Sequence, residues 1–345
     1  MSVQEKVFNK KALTAAIEQI KNPQMFLWSL LVGTERTELT SKFEVHTKEA
    51  GRYRAPLVSK RSGGILIEKE GFTVSEYEPP MLKYHVLNKA EELFEQKFGE
   101  TVYENGTNVA QRELARQLKY LKDIGARTRL WMLATLVTTG VCPLEDGKKG
   151  IKFGNFQKEI LSDNAWSKPE SDIIGYIKTK QLEIQKKTGY VIDSLVVSPD
   201  VEDAILKNDG IREYLKQTNA NIVRINDSTS RGEHGGREVM YLPTLGITVY
   251  SYSEWVKDIT DKEGEEEALF PAKTVIGFKK GSFKCQYGAL ALRPAPRTKA
   301  VLHVSKEVVR PLYPENTEDD LLQYLSAPLV SPIDAASWFC AQVLA

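Results

Sequence analysis

Residues 62–80 read SGGILIEKEGFTVSEYEPP and have the pattern of an extended β-hairpin. A polar turn at residues 68–71 ends in glycine and separates two segments in which apolar and polar side chains alternate. The apolar positions of the two segments are Ile65, Ile67, Phe72 and Val74. If the strands extend to Leu57 and His85, each has about ten residues or more and is roughly 35 Å long. The sequence therefore predicts a long projection from the protein.

Glycines and prolines interrupt this hairpin and mark it as a hinged element rather than a central sheet strand. The four candidate hinge residues are Gly63, Gly64, Pro79 and Pro80. A two-stranded hairpin by itself is at best marginally stable in water. Because no neighbouring segment supplies an evident core, we expect its apolar faces to be buried on another copy of the chain.

A single long helix is predicted at residues 108–139, after an arm-like N-terminal region. Asn108 can cap the first free N–H groups, and Gln111 completes a pair that resembles a capping box. Apolar residues recur at helical spacing along the segment, and Gly140 and Pro143 follow its end. At 1.5 Å per residue the helix is about 48 Å long. A helix of this length indicates a spine that carries other elements.

The second half of the chain has the pattern of an α/β module followed by further strands. Residues 169–187 predict an amphipathic helix that ends at Gly189. The segment 192–200 predicts a buried strand that leads into a helix beginning at Ser198 and Pro199, and strands are expected near 239–242 and 247–251. The sequence thus predicts a fold of the α+β class.

The amino-acid composition is typical of a globular protein, and the net charge is close to zero. The 345 residues are 41% hydrophobic and 27% charged, and 47 Lys and Arg residues almost cancel 46 Asp and Glu residues. Contact with nucleic acid is therefore expected to be weak or local. The cysteines Cys142, Cys285 and Cys340 are far apart in sequence, which favours a reducing compartment. The polar N-terminus lacks an apolar h-region and no run of about 18 apolar residues occurs, so neither a signal peptide nor a membrane span is predicted. The expected site of synthesis is the cytosol.

No group of residues predicts a catalytic, cofactor-binding or metal-binding site. The sequence contains no nucleophile turn of the G-x-S-x-G type and no phosphate-binding glycine loop. Four scattered histidines, His46, His85, His234 and His303, lack metal-ligand spacing. The acidic run at residues 261–267 lacks the spacing of a calcium loop and is interpreted as a solvated surface. An α/β enzyme built on residues 192–251 is a rival hypothesis that requires a pocket with converging polar groups.

Five segments, in this order along the chain, resemble one known family. They are NPQMFLWSLL (22–31), RAPLVSKRSGG (54–64), SLVVSPDVEDAI (194–205), LFPAKTVIGF (269–278) and YLSAPLVSPIDAASWFCAQVLA (324–345). Together with the order of arm, hairpin, spine helix and α/β module, they resemble the major capsid proteins of tailed bacteriophages. The fold is that of the Hong Kong 97 type, and the narrower resemblance is to the phage lambda major capsid, or head, protein family.

The resemblance implies an order of domains within this α+β fold. It implies an N-terminal arm at 1–56, an extended β-hairpin loop at 57–87, a peripheral domain at 88–190 with the spine helix 108–139, an axial domain at 191–295, and a return to the peripheral domain at 296–345. The loops at 228–236 and 261–267 are expected to approach the axis of a capsomer.

The resemblance also implies a structural protein rather than an enzyme. The expected function is self-assembly through pentamers and hexamers into an icosahedral shell that encloses double-stranded DNA. A separate scaffold protein and a portal are implied as partners, weak nonspecific contact with the packaged DNA is expected, and a decoration protein is compatible with the resemblance. The expected location is the virion, after assembly in the host cytoplasm, with no membrane partner. A nonviral compartment shell of the same fold is the second alternative, beside the enzyme.

The hairpin supplies the candidate interface residues of such a shell. Its predicted subunit contacts are Lys60, Arg61, Ile65, Ile67, Phe72, Val74 and Tyr77. The two basic residues are expected to form exposed ion pairs between subunits, each contributing about 0–1 kcal/mol. The hinge residues would let the hairpin swing as the shell expands.

Overall fold

The computed structural model describes most of the chain, with several gaps. The described residues are 10–20, 23, 25–47, 73–88, 106–145, 149–154, 156–162, 165–217, 235–261, 263–293, 299–313 and 320–344. Within these ranges the helices are α1 (Lys10–Gln19), α2 (Phe26–Leu31), α3 (Gly106–Thr139), α4 (Ile173–Thr188), α5 (Pro199–Lys207) and α6 (Asp209–Gln217).

The strands are short and distributed along the whole chain. They are β1 (Val32–Thr37), β2 (Phe43–Thr47), β3 (Thr73–Tyr77), β4 (Leu82–Asn88), β5 (Val141–Glu145), β6 (Lys149–Lys152), β7 (Glu159–Ile160), β8 (Ser194–Val197), β9 (Gly236–Leu242), β10 (Ile247–Tyr252), β11 (Trp255–Val256), β12 (Glu267–Ala268), β13 (Thr274–Phe278), β14 (Phe283–Tyr287), β15 (Leu290–Leu292), β16 (Val301–His303), β17 (Val308–Leu312), β18 (Asp320–Ser326), β19 (Pro328–Pro332) and β20 (Trp338–Gln342).

The largest sheet has six strands in the order β7-β20-β13-β8-β10-β9. The pairs β8 with β10 and β7 with β20 are parallel, and the other pairs are antiparallel. Every residue of β8 and β13 is buried, because both faces of the sheet are covered. Leu195, Val197 and Val275 face the helices α4, α5 and α6, whereas Val196 and Ile276 face the cluster that contains the spine helix.

The spine helix α3 has 34 residues and a length of about 51 Å. It begins two residues before the predicted start and ends at the predicted Thr139. Gly140 ends it with φ of 76°, a left-handed conformation that suits glycine, and its amide donates to the Leu136 carbonyl at 2.8 Å. The Trp338 indole N–H donates to the Val137 carbonyl at 3.2 Å, so the spine helix is fixed to β20 of the six-stranded sheet.

Three strand pairings join segments that the predicted order assigns to different domains, and the domain boundaries themselves stay a prediction. Strand β4, expected in the extended loop at 57–87, pairs along its whole length with β18 in a sheet of order β17-β18-β4. Strand β20, expected to return to the peripheral domain, lies between β7 and β13 in the six-stranded sheet. Strand β14, expected in the axial domain, lies between β1 and β19. Local alternation of apolar and polar residues predicts where a strand lies, but it does not specify which other strand pairs with it.

Candidate subunit interface

The base of the predicted hairpin is an antiparallel pair formed by β2 and β3. Val74 lies opposite His46, and Tyr77 lies opposite Phe43. The sequence predicts that residues 43–47 belong to the arm and that the returning strand of the hairpin pairs across a turn at residues 68–71. Within the described residues, the partner of β3 is β2, a strand of the predicted arm, and the predicted pairing across the turn stays a prediction. The intervening residues 48–72 lie outside the described part of the chain.

Most of the predicted interface and hinge residues cannot be placed for the same reason. Lys60, Arg61, Gly63, Gly64, Ile65, Ile67 and Phe72 lie outside the described residues, and for Val74 the strand pairing alone is described. The structure therefore brings Val74, Tyr77, Pro79 and Pro80 together at the base, and the other predicted contacts stay predictions.

The base of the hairpin is anchored on its own subunit. The Tyr77 ring meets the Phe153 ring edge to face, with 6.2 Å between centroids. Pro79 is buried, and it lies so close to Gly288 that a Cβ atom at that glycine would be 2.7 Å from the proline Cγ. Tyr77 packs on Phe153 within its own chain, and its predicted contact with a neighbouring subunit stays a prediction. Pro79 thus marks a fixed end of the projection.

A buried ionic cluster joins the spine helix to the strand that follows the hairpin. We define the Glu307 cluster as Glu307, Arg129, Lys122 and Tyr324. Arg129 Nη1 donates to Glu307 Oε1 at 2.7 Å, and Lys122 Nζ lies 3.7 Å from Glu307 Oε2. The Tyr324 ring stacks on Tyr84 of β4 with 4.8 Å between centroids. The Tyr84 hydroxyl donates to the Leu121 carbonyl at 2.5 Å, which links β4 to the spine.

Lys122 also holds the N-terminal helix. Its ammonium donates to the carbonyl oxygens of Ile17 at 2.8 Å and of Ile20, at the C-terminal end of α1, where cations are stabilised by free carbonyls. Burial lowers the pKa of Lys122 below its usual range, although the Glu307 carboxylate opposes this effect. Sequence reasoning missed the cluster. The available signal was two charged residues, Lys122 and Arg129, on the apolar side of a helix, a placement that indicates buried partners.

A second ion pair, partly exposed, fixes β1. The Trp28 indole N–H donates to Glu35 Oε1 at 2.9 Å, and Lys306 Nζ lies 2.6 Å from Glu35 Oε2. Burial acts to raise the pKa of Glu35, but the hydrogen bonds from Lys306 and Trp28 outweigh it and hold that pKa below its usual value. These contacts join the N-terminal segment to the C-terminal third of the chain.

The acidic run that the sequence analysis interpreted as a solvated surface forms part of a two-stranded ribbon. We call residues 254–268 the acidic ribbon, because residues 254–267 contain seven carboxylates and two lysines. Strands β11 and β12 pair with Trp255 opposite Ala268. The side chains of Trp255 and Ile259 are 54% and 58% exposed. The ribbon thus presents large apolar groups within a strongly negative surface.

The described residues provide no arrangement for metal or thiol chemistry. In the described ranges, no three His, Cys, Asp or Glu side chains are placed to hold a metal ion. Cys142, Cys285 and Cys340 are buried, and desolvation raises the pKa of each thiol to about 12, so none forms a reactive thiolate near neutral pH. Among the described helices, none combines the length and the apolar character needed to cross a membrane.

A comparison with protein families gives a match over nearly the whole chain. The sequence profile described as phage major capsid protein E matches residues 10–343. The chain belongs to this family of phage major capsid proteins. The resemblance stated from the sequence is therefore confirmed, and the function is that of a major capsid protein, a structural component of the virion. The match favours a phage shell over a nonviral compartment.

Solved structures show that this capsid protein has the expected fold. The putative capsid protein of a prophage of E. coli CFT073 matches with a TM-score of 0.68 and 15% sequence identity, covering 97% of this chain and 99% of that one. A phage-related protein from Bordetella bronchiseptica RB50 matches with a TM-score of 0.54 and 14% identity, covering 96% of each chain. The Hong Kong 97 type α+β fold is thus confirmed. Among curated protein sequences, none matches the chain.

Proposed function

We propose that this capsid protein assembles through pentamers and hexamers into an icosahedral shell that encloses the double-stranded DNA of a tailed phage or prophage. The supporting observation is the number of large apolar side chains left at the surface. Those more than half exposed include Leu39, Ile160, Leu182, Trp255, Ile259 and Tyr313. These side chains belong to different parts of the fold, which suits a subunit that contacts several neighbours in a shell.

The hairpin is the main proposed contact between subunits. In this proposal, Ile65, Ile67, Phe72 and Val74 pack on a neighbour, and Lys60 and Arg61 form ion pairs with it. The anchored base supports the proposal, because a projection fixed at Tyr77 and Pro79 can transmit force between subunits. Gly63, Gly64, Pro79 and Pro80 are proposed to provide the bending needed when the shell expands, with Pro79 as the pivot at the anchored base.

The remaining partners follow from the same function. We propose a separate scaffold protein and a portal, with assembly in the host cytoplasm, and a decoration protein is compatible with this function. The formal net charge of +1 supports weak, nonspecific contact with packaged DNA, since a strongly basic inner surface would hold the DNA by counterion release.

The hairpin proposal is tested by replacing its apolar side chains with charged ones. The variant Ile65→Asp/Ile67→Asp/Phe72→Asp is expressed with the scaffold protein, and particles are counted by negative-stain electron microscopy. We expect closed shells from the wild-type chain and unassembled subunits from the variant, because three carboxylates cannot enter an apolar contact without a large desolvation cost.

The matched control is Ile65→Val/Ile67→Val/Phe72→Leu, which keeps the apolar character and should still form shells. Thermal unfolding of unassembled subunits, followed by circular dichroism, verifies that the aspartate variant is folded. Closed shells from a folded aspartate variant would show that the hairpin is not an assembly element. If wild-type chain forms no shells with its scaffold, the proposed function itself is wrong.

A further inference from the structure

The acidic ribbon is a fixed structure and not a loose acidic loop. Pairing of β11 with β12 is continued by the Leu269 amide, which donates to the Glu254 carbonyl at 2.9 Å. The Gly264 amide donates to Asp261 Oδ1 at 2.8 Å and closes the turn. Leu269 and Phe270, which directly follow β12, are buried in the cluster that contains the spine helix. The ribbon is therefore held in one orientation.

The direction of Trp255 follows from this attachment. Val256 packs against the same buried cluster, and successive side chains of a strand point to opposite faces. Trp255 accordingly points away from the core and is 54% exposed. The same ribbon carries exposed glutamates at positions 263, 265, 266 and 267, of which Glu267 lies opposite Val256, the residue next to Trp255. A large aromatic group beside carboxylates suits a partner surface that is apolar at its centre and basic at its edge.

Helix α4 presents a surface of this kind. Lys178, Leu182 and Lys186 are each four residues apart, so they form one stripe along the helix, and all three are exposed. We call these three residues the lysine stripe. Leu182 is 56% exposed and lies between the two ammonium groups. The opposite side of α4 is buried through Ile173, Ile177 and Ile184, which fixes the direction of the stripe.

The helix is also rigid at both ends. Asp172 accepts a hydrogen bond from the Gly175 amide at 2.8 Å, and Gly189 ends the helix with φ of 82°. Lys180 is already engaged, at 2.8 Å from Glu159 and 3.1 Å from Glu183. The lysine stripe therefore differs from the neighbouring lysine, which is neutralised within the chain.

The ribbon and the stripe lie on opposite faces of the six-stranded sheet. Helix α4 packs in the cluster that contains Leu195 and Val197, whereas the ribbon is attached to the cluster that contains Val196. Because the sheet separates them, the two complementary surfaces of one chain are directed to different neighbours. A contact between unlike surfaces of identical chains is heterologous, and it generates a closed ring when the rotation between neighbours closes.

We propose that the acidic ribbon of one subunit docks on the lysine stripe of the next subunit around a capsomer. Trp255 lies on Leu182 of the neighbour, and the glutamates at 265 and 266 face its Lys178 and Lys186. This proposal rests on the proposed function, since it specifies a contact that builds the rings. The occupant of both surfaces is a second copy of this chain.

Charge reversal on each side tests the proposal. The ribbon variant is Glu265→Lys/Glu266→Lys, and the stripe variant is Lys178→Glu/Lys186→Glu. Association of unassembled subunits is measured by native mass spectrometry and mass photometry at low ionic strength. We expect each variant alone to associate about tenfold more weakly, and an equimolar mixture to regain association, because every contact between the two unlike variants joins opposite charges.

The matched control is Lys207→Glu/Lys216→Glu, which makes the same change of charge on α5 and α6 and should leave association nearly unchanged. Association of the wild-type chain should fall when salt is raised from 0.05 M to 0.5 M, because exposed charges are screened. Trp255→Ala should weaken association at both salt concentrations, since it removes apolar contact area.

The outcomes separate this inference from the function on which it rests. If the wild-type chain forms rings or shells and both charge variants do so equally well, the ribbon contact is wrong and the proposed function stands. A control variant that weakens association as much as the stripe variant also overturns the contact, because the effect is then one of net charge. If the wild-type chain forms neither rings nor shells with its scaffold, both proposals fail.

Discussion

The Glu307 cluster and the acidic ribbon are both rich in charge, yet they differ in where their partners lie. In the Glu307 cluster, Arg129 and Lys122 share one carboxylate in the interior, and each partner belongs to the same chain. In the acidic ribbon, the glutamates at 265–267 and Trp255 are exposed. The charges of the Glu307 cluster are paired within the subunit, whereas the charged and apolar groups of the acidic ribbon lie at its surface.

This difference predicts two kinds of dependence on solution conditions. Buried charges are little affected by salt, and removing one of them leaves another charge without its partner in a region of low dielectric. Exposed charges are screened by salt and contribute modestly each, so their effect depends on repetition by symmetry. Stability of the subunit and association between subunits should therefore respond to different substitutions.

The largest effect is expected from Arg129→Met. This change removes the main partner of the Glu307 carboxylate, and we expect the free energy of unfolding of the subunit to fall by about 3–5 kcal/mol. Urea denaturation of unassembled subunits, followed by circular dichroism, measures it. The control is Arg127→Met, an exposed arginine on the same helix, which should change stability by less than about 0.5 kcal/mol. Equal effects of the two substitutions would contradict the structural role given to the cluster.

A smaller and more local effect is expected from Lys122→Met. The substitution removes the donor to the Ile17 and Ile20 carbonyls, and we expect a loss of about 1–3 kcal/mol. Hydrogen exchange followed by mass spectrometry should show faster exchange at residues 10–20, with little change in the six-stranded sheet. Lys119→Met, at an exposed position of the same helix, is the control. Unchanged exchange in α1 would show that Lys122 does not hold the N-terminal helix.

The smallest effect is expected from Glu35→Gln, and it depends on pH. The pKa of Glu35 is held below its usual value, so the charged carboxylate stabilises the folded state above pH about 4.3, and this contribution is lost as pH falls through the lowered pKa. Because Lys306 is half exposed, the contribution should be below about 1 kcal/mol. Urea denaturation at pH 7 and pH 3 should show a difference between wild type and variant that shrinks on acidification. A difference that grows at pH 3 would contradict this sign.

Several elements were predictable because their signals are local. The spine helix was expected at 108–139 and is observed at Gly106–Thr139, since helical periodicity and the glycine that follows it are both contained in the segment. The buried strands β8 and β13 read as continuous apolar runs. Of the candidate site, the structure describes Val74 pairing with His46 and a buried Pro79, and the projecting hairpin stays a prediction.

The pairing of those elements was not predictable from the same signals. Strand β3 pairs with a strand of the expected arm, β4 pairs with β18 near the end of the chain, and β20 joins the largest sheet. Arg129 and Glu307 are 178 positions apart, and the sequence around each residue does not indicate that the other is its partner. Such contacts depend on how the complete set of apolar faces is buried at once, and that arrangement exists only in the folded chain.

The sequence by itself determined the elements, the absence of recognisable catalytic motifs and the resemblance to a capsid family, because each depends on short-range pattern or on the order of segments. The tertiary structure alone decided which charges are enclosed and which are presented to solvent. The Glu307 cluster is enclosed because the spine helix, α1 and β18 meet there, and the acidic ribbon and the lysine stripe are directed apart because a buried sheet lies between them.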